Sequence, residues 1–172
     1  MYSNKDLLIT NALRELDFRQ LMDVYEQSNR QTGRENYPGF PEYQQLLMAE
    51  QDVYVYLKEY FFADAKAYYA IWAPEGRYRA AVRLEPYRDG YLIAALETAP
   101  ESRRKGYGSN LLKQVIVFLA KTDCSKVYAH IDKKNTASLA LHSVCGFCKI
   151  SDHAVLLDGS VLQSYCTYCC AL

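Results

Sequence analysis

The chain has 172 residues, 50% of them hydrophobic, and its 20 Lys and Arg residues balance its 20 Asp and Glu residues. This size and composition predict a single globular domain over residues 1–172 and exclude an intrinsically disordered chain. The neutral balance argues against a general nucleic-acid or anionic-membrane binder. No apolar run is long enough to span a membrane, and the first six residues lack the apolar core of a signal peptide, so we expect a cytoplasmic protein.

Hydrophobic periodicity and turn residues divide the first half of the chain into alternating elements. The pattern predicts a strand at 7–10, a helix over about 13–28, a loop over 30–41, a second helix over 42–62, and a hairpin of strands at 66–73 and 77–84. The loop is predicted because it contains two glycines and two prolines. The second half predicts a strand ending at 97–98, a helix after Gly108, a strand at 126–131, a helix after Asn135, and a hairpin over 148–170 turning at Asp158-Gly159. The helix after Gly108 has a predicted buried stripe of Leu111, Leu112, Val115, Ile116 and Leu119.

The most informative segment is the basic turn Arg103-Arg104-Lys105-Gly106-Tyr107-Gly108, which joins a predicted strand to a predicted helix. The first N–H groups of a helix are unpaired and carry partial positive charge, so such a turn can bind phosphate. It lacks the Gly-Lys-Ser/Thr ending of a P-loop, and Leu111 stands where a dinucleotide-binding loop needs its third glycine. Both nucleotide-binding interpretations are therefore excluded.

A second segment, Asn135 to Phe147, occurs downstream of this turn. Together the two segments resemble the signatures of the GNAT acetyltransferases: Gln/Arg-x-x-Gly-x-Gly/Ala in the basic turn, and Asn-x-x-Ala/Ser-x-x-Leu-Tyr-x-x-x-Gly-Phe in the second segment. Asn135, Ser138, Leu141, Gly146 and Phe147 match the second signature, and His142 stands where most members have Tyr.

The resemblance covers the whole chain by element order, with its specific part between about residues 90 and 147. It implies an α/β (α+β) fold with a mixed central sheet of six to seven strands and about four flanking helices. It also implies a V-shaped splay between two central parallel strands, which would hold acetyl-CoA as co-substrate. The expected function is acetyl transfer to a primary amine.

The resemblance also implies the residues that bind the cofactor. Backbone groups of Leu96, Glu97 and Thr98 would pair with the pantetheine arm, and Asn135 with Ser138 would hold it from the other side. Pyrophosphate would lie on the turn and the helix start, with three cations available to neutralise it. These residues are Arg103, Arg104, Lys105, Gly106, Tyr107, Gly108 and Ser109.

Three residues are candidates for proton transfer. Glu97 ends a strand beside the expected thioester, where burial would raise the pKa of its carboxyl and make it a better base. His130 is a second candidate base, because imidazole titrates near neutral pH. His142 is the candidate acid for the leaving thiolate in place of the usual Tyr, and this departure from the family keeps open a non-catalytic domain that binds CoA as a sensor or scaffold.

Four cysteines suggest a competing interpretation. Cys145-x-x-Cys148 and Cys166-x-x-Cys169 have spacing found in zinc sites, which would make the chain a zinc-stapled interaction domain. Cys166 and Cys169 fall in a predicted strand, where residues three apart face opposite sides. We therefore expect no metal and free thiols, with Cys148 opposite Cys169 across the hairpin.

The sequence leaves the acceptor open among small amines, amino acids, polyamines, antibiotics and protein N-termini. The expected partners are acetyl-CoA and a small-molecule or peptide amine, with neither nucleic acid nor membrane. The resemblance also allows a homodimer through the terminal strands.

Overall fold

The structure is a computed structural model that describes residues 5–172; residues 1–4, part of the segment assessed for a signal peptide, lie outside the described residues. A seven-stranded sheet forms its centre, with strand order β1-β2-β3-β4-β5-β9-β6, and β7 and β8 form a separate two-stranded ribbon. The strands are β1 Leu7–Thr10, β2 Tyr68–Trp72, β3 Ala80–Tyr87, β4 Gly90–Thr98, β5 Lys126–Asp132, β6 Cys148–Ser151, β7 Ala154–Val155, β8 Val161–Leu162 and β9 Tyr165–Ala171. The β4–β5 pair is parallel, and the other pairs in the sheet are antiparallel.

Five α-helices flank the sheet within residues 5–172, where the sequence predicts about four. They are α1 Phe18–Val24, α2 Glu26–Asn36, α3 Glu42–Glu59, α4 Tyr107–Leu119 and α5 Thr136–Val144. The predicted stripe of α4 is confirmed, because Leu111, Leu112, Val115 and Leu119 are fully buried and Ile116 is partly buried against the same core. The mixed α/β architecture predicted from the sequence is confirmed. None of the helices in this described part is long and apolar enough to cross a membrane.

The segment 13–41 differs from its prediction. The single helix expected over 13–28 is broken into a short 3₁₀ turn, α1 and the start of α2, and Asp17 caps α1 by accepting a hydrogen bond from the Gln20 backbone N–H. The loop expected over 30–41 is helical as far as Asn36. Position 33 of this helix is a glycine because a Cβ there would lie 2.5 Å from the Gln45 carbonyl oxygen of α3. The glycine therefore marks a close helix–helix contact and not a loop.

The chain end also differs from its prediction. The single hairpin expected over 148–170 is β6 paired with β9, with the β7–β8 ribbon inserted between them. Gly159 has φ +83° and lies in the turn of that ribbon, as predicted. The expected pairing of Cys148 with Cys169 is confirmed.

The central parallel strands separate soon after they meet. β4 and β5 pair only from Tyr91 with Val127 to Ile93 with Ala129, although both strands continue for several more residues. Just beyond this pairing, Ala95 and Leu96 of β4 together oppose the single residue Val82 of β3, which is a β-bulge. The bulge diverts β4 from β5, and the predicted splay of the sheet is confirmed.

The bulge is anchored to the helical layer. Ala95 has φ +49°, an uncommon conformation for a residue with a Cβ. Its carbonyl oxygen accepts a hydrogen bond of 2.7 Å from the Tyr25 hydroxyl, which in turn accepts one of 2.9 Å from the Tyr69 hydroxyl. Both tyrosines are buried. A two-tyrosine chain thus links the α1–α2 junction to the point where the strands diverge.

Candidate functional site

A cleft of about 740 Å³ opens beside the diverging end of β4. It is bounded by the end of β4, the basic turn, the start of α4, the start of α5 and the inner side of α2. Of the residues predicted to bind the cofactor, all but one line this cleft: Leu96, Glu97, Thr98, Arg103, Arg104, Gly106, Tyr107, Gly108, Ser109, Asn135 and Ser138. The structure thus brings together two segments that lie about thirty residues apart in the sequence.

The helix start at the end of the basic turn is shaped to bind an anion. Gly106 precedes α4 with φ +79°, a left-handed conformation that glycine adopts without steric cost. The first intrahelical bond runs from the Asn110 N–H to the Gly106 carbonyl, so the N–H groups of Tyr107, Gly108 and Ser109 precede it. All three residues line the cleft, and the helix dipole adds to their attraction for negative charge.

Gly108 matters for a second reason, which is its close contact with β4. A Cβ at this position would lie 3.0 Å from Thr98 Oγ1 and 3.8 Å from Leu141 Cδ2. The absence of a side chain therefore lets the helix start sit directly against the strand end.

The three cations of the turn have different surroundings. Arg103 reaches across the cleft, with its Nε donating to the Thr98 carbonyl at 3.3 Å and its Nη1 to Gln27 Oε1 at 2.5 Å. Arg104 lines the cleft and has φ +58°. Lys105 is the predicted residue that does not line the cleft, because its ammonium donates to the Glu101 carbonyl at 3.0 Å.

Glu97 lies at the inner end of the cleft, immediately after the bulge. Burial raises the pKa of its carboxyl above the ordinary 4.5, while a hydrogen bond from Ser28 and the charge of Arg103 act in the opposite direction. A carboxylate with a raised pKa is a stronger base than one in water. The position and the chemistry of Glu97 both suit proton abstraction from a group in the cleft.

His142 of α5 is 2% exposed, and its protonation follows from its contacts. Nδ1 lies 2.9 Å from the Ser138 carbonyl oxygen, which can only accept, so Nδ1 carries the hydrogen. Burial lowers the pKa of the imidazole, which favours the neutral form near pH 7. Nε2 is then an acceptor, so the proton-donor role expected for His142 does not follow from this geometry.

His130 of β5 has the same arrangement. Its Nδ1 lies 3.2 Å from Thr167 Oγ1, whose own hydrogen is donated to the His153 carbonyl at 2.8 Å. Nδ1 must therefore be the donor, and Nε2 the acceptor. Burial, followed by the charge of Arg88, lowers the pKa of His130, while its contact with the Val155 backbone acts in the opposite direction.

Helix α2 contributes residues that the sequence did not predict as part of the site. Gln27, Ser28 and Gln31 line the cleft opposite the basic turn. The signal available was their spacing of three to four residues, which puts them on one helical face. Gln27 and Ser28 end the helix predicted over 13–28, whereas Gln31 falls in the loop predicted over 30–41, so the sequence prediction does not put the three on one helical face.

The cysteines do not form the cluster that the zinc interpretation needs. Within residues 5–172, no group of three or more His, Cys, Asp or Glu side chains is arranged to hold a metal ion. All six cysteines in this part of the chain are free. Cys148 and Cys169 are cross-strand neighbours, whereas Cys145 and Cys166 are buried.

Comparison with protein families identifies the class of protein that this fold and cleft define. The family model described as the Acetyltransferase (GNAT) family matches residues 20–147, which is most of the chain. The protein therefore belongs to the GNAT acetyltransferase family, which supports an acyltransferase activity in general terms. No curated protein matches the chain by sequence.

Solved structures agree on the fold. The PaiA N-acetyltransferase of Thermoplasma acidophilum, in complex with coenzyme A, superposes with a TM-score of 0.64 at 15% identity, covering 96% of this chain and 99% of its own. A spermidine N-acetyltransferase chimera from Vibrio cholerae and hSSAT gives 0.63 at 18% identity, covering 96% and 95%. A Bacillus subtilis acetyltransferase, also in complex with CoA, gives 0.55 at 14% identity, covering 71% and 83%. The expected co-substrate, acetyl-CoA, agrees with the family and with these CoA complexes.

Proposed function

We propose that this protein is an acetyl-CoA-dependent N-acetyltransferase that transfers the acetyl group directly to a primary amine. The observation that carries the proposal is one continuous cleft with an anion-binding helix start at its outer end and a half-buried carboxylate, Glu97, at its inner end. Acetyl-CoA has phosphates at one end and a thioester at the other. The cleft offers a suitable group to each end.

Backbone groups would make most of the contacts with the cofactor. The N–H groups at the start of α4 would bind the pyrophosphate, with Arg103 and Arg104 neutralising its charge. The pantetheine arm would lie along Leu96, Glu97 and Thr98, with Asn135 and Ser138 on its other side. Asn135 also caps α5, because its Oδ1 accepts from the Ser138 N–H at 3.0 Å.

The acceptor nitrogen must lose a proton before it attacks. An alkylammonium with a pKa near 10.4 lies about 3.4 units above neutral pH, so deprotonation costs about 4.6 kcal/mol. Glu97 would take this proton, directly or through a water molecule. Its raised pKa lowers the cost of the transfer, since the proton moves to a stronger base.

The acetyl transfer itself needs modest help from the protein. The nitrogen attacks the thioester carbonyl, the new C–N bond forms, and the C–S bond breaks to release the CoA thiolate. A thiol near pKa 8.5 is a good leaving group. His130 and His142 lie beside this step with acceptor nitrogens, so we assign them to binding and proton acceptance at the reacting end.

A CoA-release assay across chemically grouped primary amines tests the proposal. We expect acetyl-CoA to raise the melting temperature of the protein. With at least one class of primary amine, we expect CoA to be released and the acetylated amine to form. Stabilisation by acetyl-CoA without CoA release from any amine would favour the sensor or scaffold alternative. No stabilisation by acetyl-CoA would contradict the assignment of the cleft.

A further inference from the structure

A second cavity, of about 350 Å³, lies where β4 and β5 separate. It is continuous with the cofactor cleft, because the two share the lining residues Ala95, Leu96, Glu97, Asn135 and Ser138. A cofactor that enters along the end of β4 would therefore place its reactive end at this cavity. We call it the inner cavity.

Two imidazoles line the inner cavity with free acceptor atoms. Nε2 of His130 and Nε2 of His142 are both buried, and neither has a hydrogen-bond partner among the described residues. In each ring the other nitrogen already donates, so the free atom carries a lone pair. A buried acceptor is costly to leave without a partner, so both atoms are available to accept from a bound group with N–H or O–H donors.

The charged side chains that line the inner cavity are all acidic. Its lining includes two carboxylates, Glu97 and Asp132, and contains no Lys or Arg from residues 5–172. Two guanidinium groups act on it from outside: Arg103 on Glu97, and Arg88 on His130. Arg103 is already hydrogen-bonded to Thr98 and Gln27, and Arg88 lies over the ring of Tyr87.

From these observations we propose that the inner cavity selects an acceptor that is cationic at its reacting end and carries no carboxylate on the carbon that bears the nitrogen. This inference rests on the proposed function and defines its substrate class. An amine supplies N–H donors for the two imidazoles and a positive charge for the carboxylates. The carboxylate of a free α-amino acid would have to enter beside Glu97 and Asp132 without a cation to pair with it.

Matched acceptors give the direct test. The rate of CoA release, as kcat/KM, is measured for phenethylamine, phenylalaninamide and phenylalanine, and then for agmatine and arginine. We expect each carboxylate-free acceptor to exceed the matching amino acid at least about tenfold, because the amino acid brings like charges together. Phenylalaninamide distinguishes an effect of charge from an effect of size, because its amide has a bulk similar to that of the carboxylate but no charge.

The outcomes of this test are distinct. An amino acid used as well as its amide or amine would overturn the inference while leaving acetyl transfer intact. Absence of CoA release with every acceptor would overturn the proposed function, and the inference with it.

A variant tests whether the inner cavity is responsible for the preference for acceptors without a carboxylate. Asp132→Asn removes one negative charge and keeps an oxygen that can accept the bond of 2.8 Å from the Lys134 N–H. We expect it to lower the amide-to-amino-acid ratio several-fold with little change in the KM for acetyl-CoA. Asp123→Asn, at an exposed turn, is the matched control and should leave the ratio unchanged. An unchanged ratio in Asp132→Asn would overturn the assignment to this cavity.

Discussion

The two ends of the candidate cleft are built in different ways. The phosphate-binding end comes from one continuous segment, residues 103–109, and offers mainly backbone groups, a glycine pair and the cations of a single turn. The inner cavity comes from side chains on β4, β5, β9 and α5, which are distant in the sequence. The first arrangement would bind the phosphates of the cofactor, which do not change with the acceptor, through the backbone of one turn. The second can change its ligand by changing a few side chains while the sheet stays the same.

The largest effect is expected from filling the space at Gly108. Gly108→Trp would place an indole where even a Cβ lies 3.0 Å from Thr98 Oγ1, so we expect CoA affinity to fall by at least about a hundredfold. Isothermal titration calorimetry measures the affinity. Gly39→Trp is the control, because a Cβ at Gly39 meets nothing within 4 Å. Equal CoA binding in Gly108→Trp would contradict the phosphate-binding assignment, provided that both variants remain folded by circular dichroism.

The next-largest effect is expected on the rate of acetyl transfer, without a change in cofactor binding. Glu97→Gln removes the proposed base, so we expect kcat to fall about a hundredfold or more with CoA affinity unchanged. The exposed Glu59→Gln is the matched control. A wild-type kcat in Glu97→Gln would exclude this residue as the base.

The pH dependence provides an independent check on Glu97. The base works when ionised, so kcat/KM should rise with pH through an apparent pKa above the ordinary 4.5, because burial disfavours the charged form. Burial lowers the pKa of His130 and of His142 from 6.5, so both imidazoles are neutral at pH 7 and their titration should cause no loss of activity there. The acidic limb should change or disappear in Glu97→Gln. An identical limb in the variant would assign it to another group.

A neighbouring pair in the basic turn separates cleft residues from surface residues. Arg104 lines the cleft, whereas the Lys105 ammonium is bonded to the Glu101 carbonyl. Arg104→Gln should weaken CoA binding about tenfold, for the loss of one charge-assisted hydrogen bond of about 1.5 kcal/mol. Lys105→Gln should change affinity less than about threefold by the same reasoning. The reverse order of the two effects would contradict the geometry of the turn.

The smallest effect tests whether the bulge depends on the helical layer. Tyr25→Phe removes the hydroxyl that binds the Ala95 carbonyl, which should cost about 1–2 kcal/mol of stability and raise the KM for acetyl-CoA several-fold. Tyr69→Phe keeps that bond and serves as the control. Adding Ala95→Gly to Tyr25→Phe should restore the KM partly, because glycine takes a positive φ without strain. Equal KM values in both single variants would show that the bulge forms without this anchor.

Local patterns were sufficient to predict most of the architecture. The hairpin of β2 and β3, the stripe of α4 and the turn at Gly159 follow from periodicity and turn chemistry, and all three are present. The prediction failed where glycine had a tertiary role. Gly33 lies within α2, and its missing side chain lets α2 pack against the backbone of α3. Composition alone does not reveal this contact.

The sequence by itself determined the family and predicted the phosphate-binding turn, because backbone binding of phosphate needs a glycine-bearing turn and a helix start that are contiguous in the chain. Only the tertiary structure decided the rest. It showed the bulge at Ala95, the place of α2 on the cleft, and the unpartnered acceptor nitrogens of His130 and His142. The physical reason is that a side chain's protonation and hydrogen bonds depend on neighbours brought together by folding, such as Thr167 and Ser138, and these leave no local signature in the sequence.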